Sequence, residues 1–249
     1  MKKLMMIVVA AGMAICPALY ASADPSAGPG NEKVDLAKTA ELKGDVARAR
    51  KNYAAAISHY LDAVKISQQN PLLYNKLGVT ELQLGDRSQA RKYFAKALKI
   101  DPRNTTALNN LGAVNCIQGK YKAAIRYLKE ALALDESDAS AHLNIAEAWI
   151  GVGETDRGMK EYARALELNA DILSSTLDGV TAQVRTPAQR AMISFLIARA
   201  YAKRGNLDGA LEYLRRAKDD GYRNLSKVYE EPEFALLVQD PRLAKIVKK

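Results

Sequence analysis

The sequence has 249 residues and a formal charge of +9 at pH 7, with 26% of its residues charged. This length is enough to bury a substantial core in a domain or a repeat array. Beyond the first 23 residues the chain keeps one cysteine, Cys116, which excludes an intramolecular disulfide in that part. Its stability therefore has to come from packing.

The amino terminus has the features of a secretory signal. Two lysines follow the initial methionine, an apolar run extends to about residue 20, and Ala21-Ser22-Ala23 supplies the small residues of a cleavage site. We expect export, with cleavage after Ala23 and a periplasmic or secreted mature protein of charge +7, because two lysines are lost. The alternative is an uncleaved anchor, although a bilayer usually needs about 20 apolar residues.

Residues 24–36 are expected to form a flexible leader, because the stretch 24–30 contains two prolines and two glycines. A period of 34 residues follows and keeps small and large residues in register. The small residues are Gly44, Gly78 and Gly112, then Ala56, Ala90 and Ala124, then Ala63, Ala97, Ala131 and Ala165. The large residues are Tyr60, Phe94, Leu128 and Tyr162. Since helices approach closely only where side chains are small, the period predicts packed helix pairs.

Each helix pair is interrupted by a glycine-containing break, at Gly85-Asp86, Gly119-Lys120, Gly153-Glu154 and Gly205-Asn206. This unit resembles the tetratricopeptide repeat (TPR). The residues that carry the resemblance are Leu77, Gly78, Gly85, Ala90, Phe94, Ala97 and Pro102, and in the next unit Leu111, Gly112, Gly119, Ala124, Leu128 and Ala131. The resemblance implies an all-α fold, a right-handed α-solenoid of about five helix-turn-helix units with a short helical carboxy-terminal cap.

The predicted repeats are residues 37–70, 71–104, 105–138, 139–172 and 191–224. The first repeat departs from the pattern at Lys51, which stands where the turn glycine is expected. An insertion at 173–190 breaks the period and is either a tolerated surface segment or a partner-specific element. Within it, Thr186 and Pro187 predict the start of a helix that continues to Lys203. Residues 225–249 predict a helical cap on the last repeat.

The sequence offers few residues for catalysis, and we expect no enzyme activity, cofactor, metal site or small-molecule substrate. His59 and His142 are far apart in the array and Cys116 stands at a small apolar position, so packing roles are expected for all three. The sequence contains no metal-ligand spacing, phosphate-binding glycine loop or serine elbow. Nucleic acid binding is disfavoured, because no basic stretch is interleaved with aromatic residues.

In proteins that the chain resembles, the first helices of successive repeats line a concave groove that binds peptides. The face opposite the packing residues gives the predicted peptide-binding residues Asn75, Val79, Gln83, Asn109, Asn110, Ile117, Asn144 and Glu147. Asparagine carries a donor and an acceptor and can pair with a peptide main chain of any sequence. The alternative is that these asparagines only tie adjacent first helices together. A clamp for a terminal carboxylate is not expected, because Lys76 is the only suitable cation in the central repeats.

We therefore expect an exported adaptor or scaffold for protein–protein interaction that holds a peptide segment or partner subunit in its groove. A role in envelope assembly or secretion is implied by family analogy alone. The alternative is a membrane-anchored or oligomeric structural scaffold that uses the insertion, the ends of the array or the basic outer face of the second helices. That basic face also predicts a weak contact with an anionic membrane surface.

Overall fold

A computed structural model of the protein describes residues 29–173 and 186–247. All regular secondary structure in these residues is helical, which confirms the predicted all-α fold. The helices are α1 (Pro29–Ala49), α2 (Tyr53–Ile66), α3 (Pro71–Leu84), α4 (Arg87–Ile100), α5 (Thr105–Ile117), α6 (Tyr121–Leu134), α7 (Ala139–Gly151), α8 (Thr155–Leu168), α9 (Pro187–Lys203) and α10 (Leu207–Asp219). The predicted signal and residues 174–185 of the insertion lie outside the described residues.

The helices form hairpins, since α1, α3, α5, α7 and α9 each pack most extensively against the helix that follows. The chain divides between Leu134 and Asp135 into two compact units. We call the part with α1–α6 the N-terminal body and the part with α7–α10 and the tail the C-terminal body. α1 begins at Pro29, so it includes part of the predicted leader. In the described part of the chain, no helix is both long enough and apolar enough to cross a membrane.

The turn between α1 and α2 places a lysine where the later turns place glycine. Gly85, Gly119, Gly153 and Gly205 have positive φ angles of 102°, 72°, 91° and 76°, and Lys51 has a φ angle of 60°. The left-handed conformation costs a residue with a side chain about 1–2 kcal/mol. Lys51 therefore adopts the same turn conformation as the glycines and adds local backbone strain.

Glycines in the first helices let large side chains of the second helices reach the backbone. A Cβ atom added to Gly44 would lie 2.5 Å from the Tyr60 ring, and one added to Gly78 would lie 2.4 Å from the Phe94 ring. Both rings are fully buried. The predicted register of small and large residues is thus the way these hairpins of the N-terminal body pack.

In the C-terminal body, α9 begins with a capping box in which Thr186 Oγ1 accepts from the Gln189 backbone and the Gln189 side chain accepts from the Thr186 backbone. The predicted helix from Pro187 to Lys203 is confirmed. Short 3-10 helices follow α10, at Leu225–Tyr229, Pro232–Phe234, Leu237–Gln239 and Leu243–Lys245. Their buried apolar side chains belong to the same cluster as those of α9 and α10. The tail therefore covers the last hairpin.

Candidate functional site

The predicted peptide-binding residues lie on α3, α5 and α7, and most are buried. The buried ones are Asn75, Val79, Asn109, Asn110 and Asn144; Ile117 and Glu147 are partly exposed, and Gln83 is exposed. Val79 belongs to an apolar cluster with Phe94 and Leu111. Peptide contact by these residues stays a prediction, and only a ligand that reaches between the first helices would meet the asparagines.

Asn75 ties α3 to the start of α5 through a hydrogen bond between side chains. Its Nδ2 donates to Asn104 Oδ1 over 3.0 Å. Asn104 is the N-cap of α5, and the same Oδ1 accepts from the backbone nitrogen of Ala107 over 2.8 Å. Because the Asn104 oxygen is fixed by the cap, the Asn75 atom that faces it has to be the nitrogen. The carbonyl oxygen of Asn75 therefore points away from this bond.

Two side-chain amide atoms on α3 and α5 are buried without a hydrogen-bond partner. Asn75 Oδ1 and Asn110 Nδ2 are buried and have no hydrogen-bond partner. A buried polar group that makes no hydrogen bond costs about 1–3 kcal/mol. One acceptor on α3 and one donor on α5 thus lack a partner within the described part of the chain.

Lys76 is fully engaged in an ionic cluster between α1 and α3. Its Nζ lies 2.5 Å from Glu41 Oε1 and 2.7 Å from Asp45 Oδ2, and its side chain is 11% exposed. Tyr60 donates its hydroxyl proton to Asp45 Oδ1 over 2.7 Å and accepts from Arg48 Nε over 3.3 Å. Burial is the largest cause that raises the pKa of the Tyr60 hydroxyl. Since two carboxylates already hold the ammonium group, Lys76 is not available to clamp a terminal carboxylate.

The C-terminal body contains a similar acid and tyrosine pair, Glu147 and Tyr162. Tyr162 on α8 donates its hydroxyl proton to Glu147 Oε1 on α7. Burial raises the pKa of Glu147 to about 7, although the Tyr162 hydrogen bond acts in the opposite direction. Among the described residues no charged group contributes to this pKa. Glu147 is therefore a carboxyl group that changes its charge near neutral pH.

Four models of one repeat family match the sequence. Three, described as tetratricopeptide repeat, match residues 71–104, 104–175 and 177–223, and one described as TPR repeat matches residues 44–85. Together the matches cover more than half of the chain. The chain belongs to the TPR family. As a TPR protein it is a scaffold for protein–protein interaction, and its family and fold are typical of non-catalytic modules.

Several solved structures share the fold of this TPR protein. The pilF protein of Pseudomonas aeruginosa has a TM-score of 0.56 at 20% identity, with 86% of this chain and 94% of that chain covered. MamA from Desulfovibrio magneticus RS-1 has a TM-score of 0.54 at 18% identity, with 79% and 98% covered. YrrB has a TM-score of 0.51 at 20% identity, with 80% and 93% covered. At these identities the likeness concerns the fold alone. No curated protein gives a significant match.

The two acid and tyrosine pairs hold equivalent places in their TPR repeats. The sequence analysis names Glu147 and both tyrosines, but it does not predict that they pair. Asp45 and Glu147 are separated by 102 residues, as are Tyr60 and Tyr162, and this distance is three periods of 34. The signal was present in the sequence, because each acid and each tyrosine holds the same place in its repeat. Their hydrogen bonds become visible only when the helices are packed.

The histidine on α7 of this TPR protein has a structural environment. His142 Nδ1 lies 2.6 Å from Glu161 Oε2 on α8, and its Nε2 lies 3.0 Å from the backbone oxygen of Glu136. Both ring nitrogens are therefore occupied by contacts within the C-terminal body. In the part of the chain that the structure describes, no group of three acidic, histidine or cysteine side chains is placed to hold a metal ion.

Proposed function

We propose that this TPR protein binds an extended segment of a partner protein against α3 and α5 of the N-terminal body. The observation that carries the proposal is the pair of buried, unpartnered polar atoms, Asn75 Oδ1 and Asn110 Nδ2. An extended peptide presents a backbone N–H and a backbone C=O in each residue, and these are the groups that the two amides lack. Binding would thus remove an existing desolvation cost as well as form hydrogen bonds.

Recognition of the peptide main chain would let the two amides accept partners of different sequence. A peptide backbone is the same in every protein, so hydrogen bonds to it contribute affinity, and side-chain contacts elsewhere contribute specificity. YrrB, which shares the fold, is described as a TPR protein with an unusual peptide-binding site. That description supports peptide capture as a use of this fold, while the residues proposed here come from this chain alone.

The test replaces Asn110 by leucine and measures binding and stability together. Random dodecapeptides displayed on phage are selected on the wild-type protein, and the affinities of the selected peptides are then measured for each variant. We expect Asn110→Leu to weaken binding about fivefold to tenfold, because one hydrogen bond to a buried amide is lost. The same change should preserve or raise the free energy of unfolding, because it removes a buried unsatisfied group.

A second variant and a control complete the test. Asn75→Ala should also weaken binding, and it should lower stability slightly because its bond to Asn104 is lost. Gln69→Ala removes an exposed amide outside this face and should change neither property. If Asn110→Leu binds the selected peptides as tightly as wild type, the amides serve only to pack the helices. The contact then has to lie elsewhere, for example on α1, where Leu42 and Val46 are exposed.

We further infer that this interaction takes place outside the cytoplasm. The support is the sequence of residues 1–23, with its lysines, apolar run and small residues before position 24. Amino-terminal sequencing of the protein recovered from the envelope or culture fraction should give Asp24 as the first residue. A chain that begins at Met1 in the membrane fraction would contradict cleavage and favour an amino-terminal anchor.

A further inference from the structure

The first hairpin of the N-terminal body exposes apolar side chains at places that the later hairpins bury. Leu42 and Val46 on α1 are 54% and 50% exposed. The residues one and two periods later are Lys76 and Thr80 on α3, and Asn110 and Val114 on α5. Thr80, Asn110 and Val114 are buried, and 11% of the Lys76 side chain is exposed. Of the three first helices in this body, α1 alone leaves the face open.

In the later hairpins this face is covered by the hairpin that comes before. Lys76 on α3 binds Glu41 and Asp45 of α1. Val114 on α5 belongs to an apolar cluster that includes Val79 of α3. The covering elements are helices of the preceding repeat, so the repeat itself shows what kind of element fits this face. The equivalent face of α1 therefore has the shape that packs against a helix.

A groove of about 490 Å3 runs between α1 and α2 at the open face. Leu42 and Val46 line it, together with Ala47 of α1 and Ala55 of α2. Residues four apart on a helix lie on the same side, so the leucine and the valine form one apolar stripe. An amphipathic helix binds by placing its own apolar stripe in such a groove. The concave shape favours a helix over a bilayer surface, which is flat on this scale.

The exposed charges around the groove are mostly positive. Between residues 33 and 50 the exposed charged residues are Lys33, Asp35, Lys38, Lys43 and Arg50. Lys43 and Arg50 line the groove itself. A second copy of the chain that used the same face would bring like charges together, whereas an acidic partner would be attracted. The charges therefore favour an acidic partner.

The residues before α1 do not supply a covering helix once the signal is removed. Cleavage after Ala23, as proposed above, leaves residues 24–28 before α1. These five residues contain no large apolar side chain that could cover Leu42 and Val46. A helix on this face then has to come from another molecule.

We propose that the open face of α1 and the groove beside α2 bind an amphipathic helix of a partner protein, with acidic residues beside its apolar stripe. The helix would take the place that a preceding hairpin takes in the later repeats. Its apolar side chains would pack on Leu42 and Val46, and its carboxylates would lie near Lys43 and Arg50. This surface goes beyond the proposed function, because it lies on the first hairpin and takes a helix instead of an extended segment.

The test begins with a selection of helical peptides displayed on phage against residues 24–249. The peptides have about 18 residues, which is enough for a helix to form. Apolar residues stand at positions i, i+3, i+4 and i+7, and the flanking positions are randomised equally among glutamate, lysine, glutamine and alanine. We expect the selected peptides to be enriched in glutamate and depleted in lysine at the flanking positions. A selection that yields no peptide, or no enrichment in glutamate, would overturn the proposal.

Substitutions of the apolar stripe locate the binding surface. Leu42→Ser combined with Val46→Ser should weaken the selected peptides at least about tenfold, because two apolar contacts are lost. Both side chains are half exposed, so the fold should be retained. Leu72→Ser is the matched control, since Leu72 is 50% exposed on α3 and does not line the groove. Equal binding to wild type and to the double serine variant would place the peptides elsewhere and overturn the site.

Reversal of the charges beside the groove tests the acidic character of the partner. Lys43→Glu combined with Arg50→Glu should weaken the acidic peptides about tenfold and improve binding of the same peptides with lysine in place of glutamate. Lys92→Glu combined with Lys96→Glu makes the same change in net charge on exposed residues of α4 and should have a much smaller effect. Equal effects of the two reversals would show that only net charge matters, which overturns the site.

Three further measurements separate this surface from other uses of the chain. Asn110→Leu should leave helix binding unchanged, so loss of the extended segment and loss of the helix are distinguishable. Sedimentation equilibrium detects a second copy, and a dimer that the double serine variant abolishes would overturn the partner helix. Binding to phosphatidylglycerol vesicles that the same variant abolishes would overturn it in favour of a membrane. Monomeric protein that binds the acidic helices and no vesicles is the expected result.

Discussion

Replacing Lys76 with methionine should lower the free energy of unfolding by about 2–3 kcal/mol. Methionine has a side chain of similar length without the charge, so the substitution removes the cation that joins Glu41 and Asp45. Removal of one partner from a buried ion pair costs about 3–5 kcal/mol, because the remaining charge is left unpaired. The Lys76 and Asp45 side chains are each 11% exposed and that of Glu41 is 21% exposed, so solvent screening reduces this cost. Urea unfolding followed by circular dichroism measures the change.

Two further variants assign the effect to the ion cluster. Lys92→Met removes an exposed lysine on α4 and should change stability by less than about 0.5 kcal/mol. Adding Glu41→Gln and Asp45→Asn to Lys76→Met should restore most of the lost stability, because both unpaired charges are neutralised. Hydrogen exchange should rise in α1 and α3, where the cluster lies. Equal losses for Lys76→Met and Lys92→Met would show that the cluster contributes little.

The sequence predicts only part of the role of Lys76. A single lysine on the first helices of the central repeats is enough to argue against a carboxylate clamp. Its actual partners, Glu41 and Asp45, belong to the preceding repeat and are 35 and 31 residues away in the chain. The period places all three on first helices, but it does not say which side chains meet between neighbouring helices. That information comes from the packing of α1 against α2 and α3.

For Asn75 too, the sequence does not predict which side-chain atoms have hydrogen-bond partners. The sequence supports two roles for Asn75, a contact with peptide and a tie between helices. The structure contains the tie, to Asn104, and also leaves Asn75 Oδ1 without a partner. The two roles are therefore compatible, because an amide has two ends. Which end is occupied depends on the N-cap bond of Asn104 to Ala107, a feature of backbone geometry that the repeat pattern does not encode.

Local signals, in contrast, predict the helices and turns well. Thr186 and Pro187 indicate the start of α9, because a threonine side chain accepts from an amide of the first turn and proline has no amide hydrogen to satisfy. The observed capping box, which includes Gln189, agrees. Lys51 is identified by the period as a turn residue, and it adopts the left-handed conformation that glycine adopts in the later turns. Such features need only neighbouring residues, whereas the Glu147 and Tyr162 pair needs two helices in contact.

Replacing Gly78 with alanine should lower the free energy of unfolding, because α3 and α4 approach closely at this residue. The added Cβ atom would lie 2.4 Å from the fully buried Phe94 ring, so the ring or the helix has to move. Overpacking of this kind costs about 1–3 kcal/mol. Alanine also favours the helix by about 1 kcal/mol relative to glycine. The difference is a net loss of up to about 2 kcal/mol, which urea unfolding measures.

A double-mutant cycle with Phe94→Ala separates the clash from the helix preference. Phe94→Ala alone should cost about 3–5 kcal/mol, because it empties a fully buried site. In that background the added methyl group meets no ring, so Gly78→Ala should become neutral or stabilising. The coupling between the two positions should then reach about 2 kcal/mol. Gly78→Ala could instead be equally unfavourable with and without the Phe94 ring. In that case the backbone requires glycine at this position, and the contact between α3 and α4 is not the reason for the small residue.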